Sequence, residues 1–189
     1  MLFCWTRKRA STSRSGTCEL TTRIVPADSA DADELAVVAA ATFPLACPPE
    51  VGAEDIAAFV AANLSSERFA TYIADPRHAV LAARDEGRIA GYAMLIRGDT
   101  TDAADPAAEL SKIYLLPRYH GGGTAAALMG ATLATAAAWG APSVRLGVNQ
   151  KNQRAQRFYT RHGFEVTGTR TFRLGNHVER DYVMTRPLA

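Results

Sequence analysis

The chain has 189 residues, 48% hydrophobic and 21% charged, which are values typical of one globular domain. Its net charge of +2 depends on residues 1–18, which hold four basic and no acidic side chains, whereas the remainder has two more acids than bases. This balance argues against a nucleic-acid-binding protein, and the lack of an apolar run of about eighteen residues argues against a membrane-spanning helix.

The N-terminal segment and the cysteines point to an intracellular protein. Residues 1–19 are rich in Ser, Thr and Arg and lack the apolar core of a signal peptide, so we predict a disordered basic extension before a single domain at 20–189. Cys4, Cys18 and Cys47 have no paired spacing and no histidine at metal-ligand spacing. We therefore expect a cytoplasmic protein without a disulfide framework or a metal site.

Hydrophobic periodicity and turn residues predict eleven elements in the order β-α-α-β-β-β-α-β-α-β-β. This order predicts an α/β (α+β) fold in which a mixed, mostly antiparallel sheet of six to seven strands carries helices on both faces. The predicted strands are 22–26, 79–84, 89–96, 109–116, 144–148, 164–174 and 178–185, and the predicted helices are 28–42, 53–63, 121–140 and 152–162.

A glycine-rich turn between a strand and a long helix is the most informative segment. Strand 109–116 ends at Pro117, and Gly121-Gly122-Gly123 opens the helix. The first turn of a helix offers unpaired N–H groups and a positive dipole end, and glycines let the backbone approach an anion closely. The segment therefore predicts a phosphate cradle, although a flexible turn without a ligand explains these glycines equally well. The spacing matches neither a P-loop nor a dinucleotide fingerprint.

With its surroundings, this segment resembles the pyrophosphate-binding motif of the GCN5-related N-acetyltransferases (GNAT), Gln/Arg-x-x-Gly-x-Gly/Ala. In the family this motif follows a proline that ends the fourth strand, as Pro117 does here, and precedes a hydrophobic pair, here Leu128-Met129. A second register, Arg118–Gly123, fits the bare pattern but misplaces the proline and the pair. The preferred register assigns the following residues to the cofactor: His120 (in place of Gln or Arg), Gly121, Gly122, Gly123, Thr124, Ala125 and Ala126.

The next strand-to-helix unit carries a second, independent resemblance to the same family. Asn152, Ala155, Tyr159 and Gly163-Phe164 stand at the family spacing. Asn152 and Tyr159 are two helical turns apart and share a face. A capping Asn and a core aromatic would explain these residues without a ligand, but two motifs in the family's order and separation make coincidence a poor explanation. The resemblance covers roughly residues 21–188.

The resemblance implies a GNAT fold whose sheet is splayed between strands 4 and 5. It also implies acetyl-CoA-dependent transfer of an acetyl group to a primary amine, by direct attack in a ternary complex. The pantetheine arm would lie beside Ile113, Tyr114 and Leu115, with the Leu115 N–H facing the thioester oxygen.

Side-chain roles also follow from the resemblance. Asn152, Ala155 and Phe158 would complete the cofactor site. Tyr159 would protonate the departing thiolate, and Glu109 would be the general base, with water as the alternative.

The acceptor is less defined. The run 171–184 resembles bacterial polyamine and small-amine acetyltransferases, and Asp99, Asp102 and Asp105 could attract a cation. Because the fold also serves protein N-termini, we expect a small amine, a polyamine or a peptide N-terminus, and neither a nucleic-acid nor a membrane partner. The sequence leaves open whether the protein forms a homodimer. The sequence also allows a CoA-binding or regulatory protein without catalytic activity, since His120 and Ala125 are not the commonest residues of the motif.

Overall fold

The computed structural model describes residues 22–98, 106–175 and 177–188, so the predicted extension at 1–19 lies outside them. The strands are β1 (Arg23–Pro26), β2 (His78–Asp85), β3 (Arg88–Ile96), β4 (Ala108–Leu115), β5 (Ser143–Asn149), β6 (Glu165–Leu174) and β7 (His177–Pro187). The helices are α1 (Ala32–Thr42), α2 (Ala53–Asn63), α3 (Ser66–Ala74), α4 (Thr124–Ala138) and α5 (Gln153–Arg161). None of these helices is long and apolar enough to cross a membrane.

The strands form one sheet in the order β1-β2-β3-β4-β5-β7-β6. Neighbouring strands are antiparallel except β4 and β5, which are parallel. Helices α4 and α5 pack on one face, around Leu110, Leu128 and Phe158. Helices α1, α2 and α3 cover the other face, around Phe43 and Phe69. The predicted mixed sheet with helices on both faces is confirmed.

Helix α3 is absent from the sequence-based element order. The Ser65 side chain accepts a hydrogen bond from the Arg68 N–H and caps the helix. Phe69 is fully buried, and Tyr72 and Ile73 pack against the same core, three and four residues later. These spacings are helical, but the segment is only nine residues long and begins with three polar residues, so its apolar stripe is short.

The β4–β5 pair diverges almost at once. The two strands are in register only at Ala108–Val144 and Glu109–Arg145, whereas β4 remains paired with β3 as far as Leu115. The edge of β4 from residue 110 to 115 therefore faces a gap, which we call the β4–β5 cleft. The predicted splay between strands 4 and 5 agrees with this divergence.

A β-bulge in β4 changes which side chains face each layer. Met94 pairs with Lys112 and Leu95 with Leu110, so Ser111 is an extra residue in the ladder. As a result, Leu110 and Ile113 both pack on the α4 face although they are three residues apart.

Candidate active site

The glycine turn lies at the mouth of the β4–β5 cleft. After β4, Pro117–Tyr119 forms a single 3-10 turn, and Gly123 then caps α4 with a φ of +84°. A Cβ added at Gly121 or Gly123 would meet no atom within 4 Å. The first helical hydrogen bond runs from the Ala127 N–H to the Gly123 carbonyl, so the N–H groups of residues 124–126 precede the ladder. The turn thus leaves room for an anion beside a helix N-terminus.

His120 connects this turn to the end of β4. Its Nε2–H donates to the Leu115 carbonyl at 3.0 Å. Burial lowers the pKa of His120, the hydrogen bond to Leu115 opposes this, and the nearby Arg154 lowers the pKa further. The imidazole is therefore neutral at pH 7 and positions the loop through that bond. The motif resemblance assigns the side chain at this position to the phosphates. In the structure, the Nε2 of His120 instead bonds to the backbone of the same chain.

The backbone of β4 presents polar groups to the cleft. The Leu116 N–H donates to the Ala90 carbonyl of β3 at 2.9 Å. Because successive backbone groups along a strand point to opposite edges, those of Leu115 and Ile113 point toward the cleft. His120 reaches the Leu115 carbonyl from that side, which agrees with this direction. The N–H groups of residues 113 and 115 therefore face the gap.

Tyr159 lies fully buried in α5, in edge-to-face contact with Phe158 and Phe164 at ring-centroid distances of 5.4 and 5.9 Å. Its hydroxyl finds no hydrogen-bond partner among the described residues. Burial, and to a lesser extent the neighbouring Tyr114, raises the pKa of Tyr159 well above its ordinary value. The phenol is therefore protonated at neutral pH. A buried hydroxyl without a partner costs about 1–3 kcal/mol, so a ligand acceptor here would be stabilising.

Asn152 caps α5, since its Oδ1 accepts from the Ala155 N–H at 3.0 Å. The cap also places Asn152 at the rim of a pocket of about 620 Å³ between residues 44–49 and the start of α5, which we call the α5 pocket. Arg154 and Arg157 line this pocket. Sequence analysis did not select them, although two basic residues beside the Asn152 motif were an available signal.

Cys47 also lines the α5 pocket. Burial raises the pKa of its thiol to about 11, and the Sγ donates to the Phe43 carbonyl at 3.4 Å. The thiol is therefore un-ionised at neutral pH. Since the thiolate is the nucleophilic form, Cys47 is poorly suited to covalent catalysis.

A smaller pocket, of about 310 Å³, opens on the side of β4 that faces away from α4. We call it the β4 pocket, and it is lined by Phe43, Phe59, Glu109, Ser111, Lys112, Tyr114, Arg170, Thr171 and Phe172. Among the described residues that line it, Glu109 is the acidic one, and it is already paired. The Glu109 Oε1 lies 3.0 Å from the Arg170 Nη1, and the Oε2 lies 4.0 Å from the Arg145 Nη2.

Comparison with known proteins identifies the group to which this arrangement belongs. The sequence model of the acetyltransferase (GNAT) family matches residues 46–164. The chain belongs to the GNAT family of acetyltransferases. It is 70% identical over 158 residues to uncharacterized N-acetyltransferases of Mycobacterium bovis and Mycobacterium tuberculosis, which covers 84% of this chain and 98% of theirs.

A solved structure supports the same fold. The PaiA N-acetyltransferase of Thermoplasma acidophilum, crystallised with coenzyme A, superposes with a TM-score of 0.76 at 21% identity. The superposition covers 89% of this chain and 99% of that one. This superposition confirms the predicted fold class. The family match and the 70% identical relatives confirm the predicted family and the prediction that the chain is an N-acetyltransferase.

The GNAT fold brings the predicted residues to three places. His120 and the glycine turn lie at the mouth of the cleft, Tyr159 lies in the core near Tyr114, and Glu109 lies in the β4 pocket. Asp99, Asp102 and Asp105 fall outside the described residues. Within the described ranges, no group of three or more His, Cys, Asp or Glu residues is placed to hold a metal ion.

Proposed function

We propose that this GNAT acetyltransferase binds acetyl-CoA in the β4–β5 cleft and transfers the acetyl group directly to a primary amine. The acceptor is a small amine, a polyamine or a peptide N-terminus. The observation that supports this proposal best is that β4 separates from β5 beside the N-terminus of α4, where an added Cβ at Gly121 or Gly123 would meet no atom within 4 Å. The complex of the Thermoplasma protein with coenzyme A supports the choice of cofactor.

The proposed cofactor contacts follow from the backbone. The N–H groups of residues 124–126 and the positive end of the α4 dipole face the pyrophosphate. The edge of β4 that faces the cleft at Ile113–Leu115 receives the pantetheine amides as an added strand. Arg154 and Arg157 add positive charge at the start of α5, next to Asn152.

The proposed chemistry forms one C–N bond and breaks one C–S bond. A neutral amine attacks the thioester carbonyl, whose oxygen accepts from the Leu115 N–H as negative charge develops there. The C–S bond then breaks, the protonated phenol of Tyr159 supplies a proton to the thiolate, and the new amide nitrogen gives up its extra proton, which restores the phenol. The high pKa of the Cys47 thiol supports this direct route over an acyl-cysteine intermediate.

An alkyl ammonium must lose a proton before it can attack. Glu109 is the proposed acceptor of that proton, through intervening water, because it is the acidic residue among the described lining of the β4 pocket. Its oxygens are shared with Arg170 and Arg145, so the incoming amine competes with two guanidinium groups for them.

An amine panel tests the proposal. Acetyl-CoA is mixed with the protein and single amines, and the released thiol and the acetylated amine are quantified. Amine-dependent release of both in equal amounts is expected. If calorimetry shows that acetyl-CoA binds but no amine accelerates thiol release, the chain is a binding module and the catalytic proposal is wrong.

A further inference from the structure

The residues that line the β4 pocket restrict the class of amine that can act as acceptor. We infer that the pocket accepts an amine that also bears a carboxylate and an apolar side chain, that is, an apolar amino acid rather than a polyamine. This inference rests on the proposed function and specifies its acceptor.

The ionic groups of the pocket complement a zwitterion. Among the described lining residues, Lys112 and Arg170 provide two cations, and Glu109 provides one carboxylate. An acceptor ammonium can approach Glu109 while its carboxylate is held by the two cations. A polyamine would instead bring a second ammonium toward Lys112 and Arg170, where like charges repel.

Arg170 is held in place before any ligand arrives. Its Nη1 lies 3.0 Å from the Glu109 Oε1, and its Nε lies 3.9 Å from the Oδ2 of the fully buried Asp181. A Cβ added at Gly147 would collide with its guanidinium, so the glycine makes room for it on β5. With 37% of its side chain exposed, Arg170 still offers donors to the pocket, and its planar fork suits a carboxylate.

Lys112 faces the same space from the bulge of β4. Its Nζ lies 3.2 Å from the Ser111 Oγ and 5.3 Å from the centroid of the Tyr72 ring. Burial lowers the pKa of Lys112 to about 8, Glu109 opposes the shift and Arg68 adds to it. The ammonium is therefore still the main form at pH 7, and it is poorly solvated, so a ligand carboxylate would stabilise it.

Four of the remaining lining residues are aromatic, and the other two are Ser111 and Thr171. The Phe43 and Phe59 rings stack at 4.6 Å, Phe172 contacts Phe59 edge-on at 5.9 Å, and Tyr114 contacts Phe43 at 6.4 Å. The volume of about 310 Å³ lies at the lower end of small-molecule pockets, which span about 300–1,000 Å³. A pocket of this volume can accommodate one apolar side chain and leaves little room for a long, extended cation.

A matched series of acceptors tests the inference. Phenylalanine, phenylalanine amide and phenethylamine share the aromatic ring and the amine, and only phenylalanine keeps the carboxylate. We expect kcat/KM for phenylalanine to exceed that for each analogue, and that for spermidine, by at least tenfold. The amide is a demanding control, because its amine is less basic and more of it is in the reactive neutral form.

Two variants locate the carboxylate contact. Arg170→Gln and Lys112→Met should each lower the ratio of phenylalanine to phenethylamine turnover by about tenfold or more, the scale of one lost charge-assisted contact. Arg173→Gln, an exposed change on the same strand, should leave the ratio unchanged. Because the wild-type series needs no variant, a misfolded variant would not decide the outcome.

The results separate the acceptor from the activity. If phenethylamine or spermidine reacts as well as phenylalanine, the acceptor inference is overturned and acetyl transfer stands. If no amine of the panel reacts although acetyl-CoA binds, the proposed function fails as well.

Discussion

Replacing Gly123 with glutamate places an anion where the proposed pyrophosphate site lies. Gly123 has a φ of +84°, and an added Cβ meets no atom within 4 Å, so the substitution strains the backbone but leaves room for the Cβ. A left-handed conformation costs a non-glycine residue about 1–2 kcal/mol. A carboxylate at a helix N-terminus returns about 0.3–1 kcal/mol. We therefore expect the Gly123→Glu variant to fold, with a loss of roughly 1 kcal/mol in its free energy of unfolding.

The expected loss of acetyl-CoA affinity is larger. Two unit charges 4 Å apart at a protein surface interact by about 4 kcal/mol, and at twice that distance by about half as much. A glutamate beside the pyrophosphate should therefore weaken binding by roughly 30-fold to 1,000-fold, at about 1.4 kcal/mol for each factor of ten. Calorimetric titration with acetyl-CoA measures this loss, and thermal unfolding verifies the fold.

Gly140→Glu is the matched control. Gly140 follows the other end of α4 with a φ of +72°, and a Cβ there also meets no atom within 4 Å. The control carries the same strain, and its carboxylate adds an unfavourable interaction with the helix dipole, so it should be the less stable variant. It should nevertheless bind acetyl-CoA as the wild type does. A folded Gly123→Glu protein with wild-type affinity would refute the cradle assignment.

Three further predictions concern catalysis, the N-terminus and pH. Tyr159→Phe should lower kcat by about 10²–10⁴-fold, the usual size of a general-acid contribution, and leave KM for acetyl-CoA nearly unchanged; steady-state kinetics with wild-type kcat would rule out the proton donation. A chain starting at Leu20 should retain activity and melting temperature, and a large loss in either would show that residues 1–19 pack on the domain. Lys112→Met should raise the free energy of unfolding at pH 7, since the folded protein holds a buried ammonium whose pKa is lowered to about 8. The unfolded lysine titrates near pH 10.4, so wild-type stability should rise between pH 8 and pH 10.4 and the gain from Lys112→Met should shrink there. Chemical denaturation of both proteins at pH 7 and pH 10 measures this gain. A gain that is the same at both pH values would contradict the burial argument.

Local sequence patterns determined the family of this protein and the order of its strands and helices, except for α3. Turn chemistry and hydrophobic periodicity act over a few residues. The sequence alone therefore predicted strand 109–116, the break at Pro117 and the glycine turn. The Asn152–Tyr159 spacing was readable for the same reason, since two helical turns place both side chains on one face. Helix α3 was missed because its stripe is the three residues Phe69, Tyr72 and Ile73.

Only the tertiary structure decided how the candidate site is assembled. The bulge at Ser111 depends on the register of β4 against β3, and no local pattern specifies an extra residue in a ladder. Glu109 and Arg170 lie 61 positions apart in the chain, and their ion pair exists because β4 and β6 turn those side chains toward the same pocket over Gly147. Burial likewise raises the pKa of Tyr159 and lowers that of Lys112, because desolvation depends on what the whole fold packs around a group.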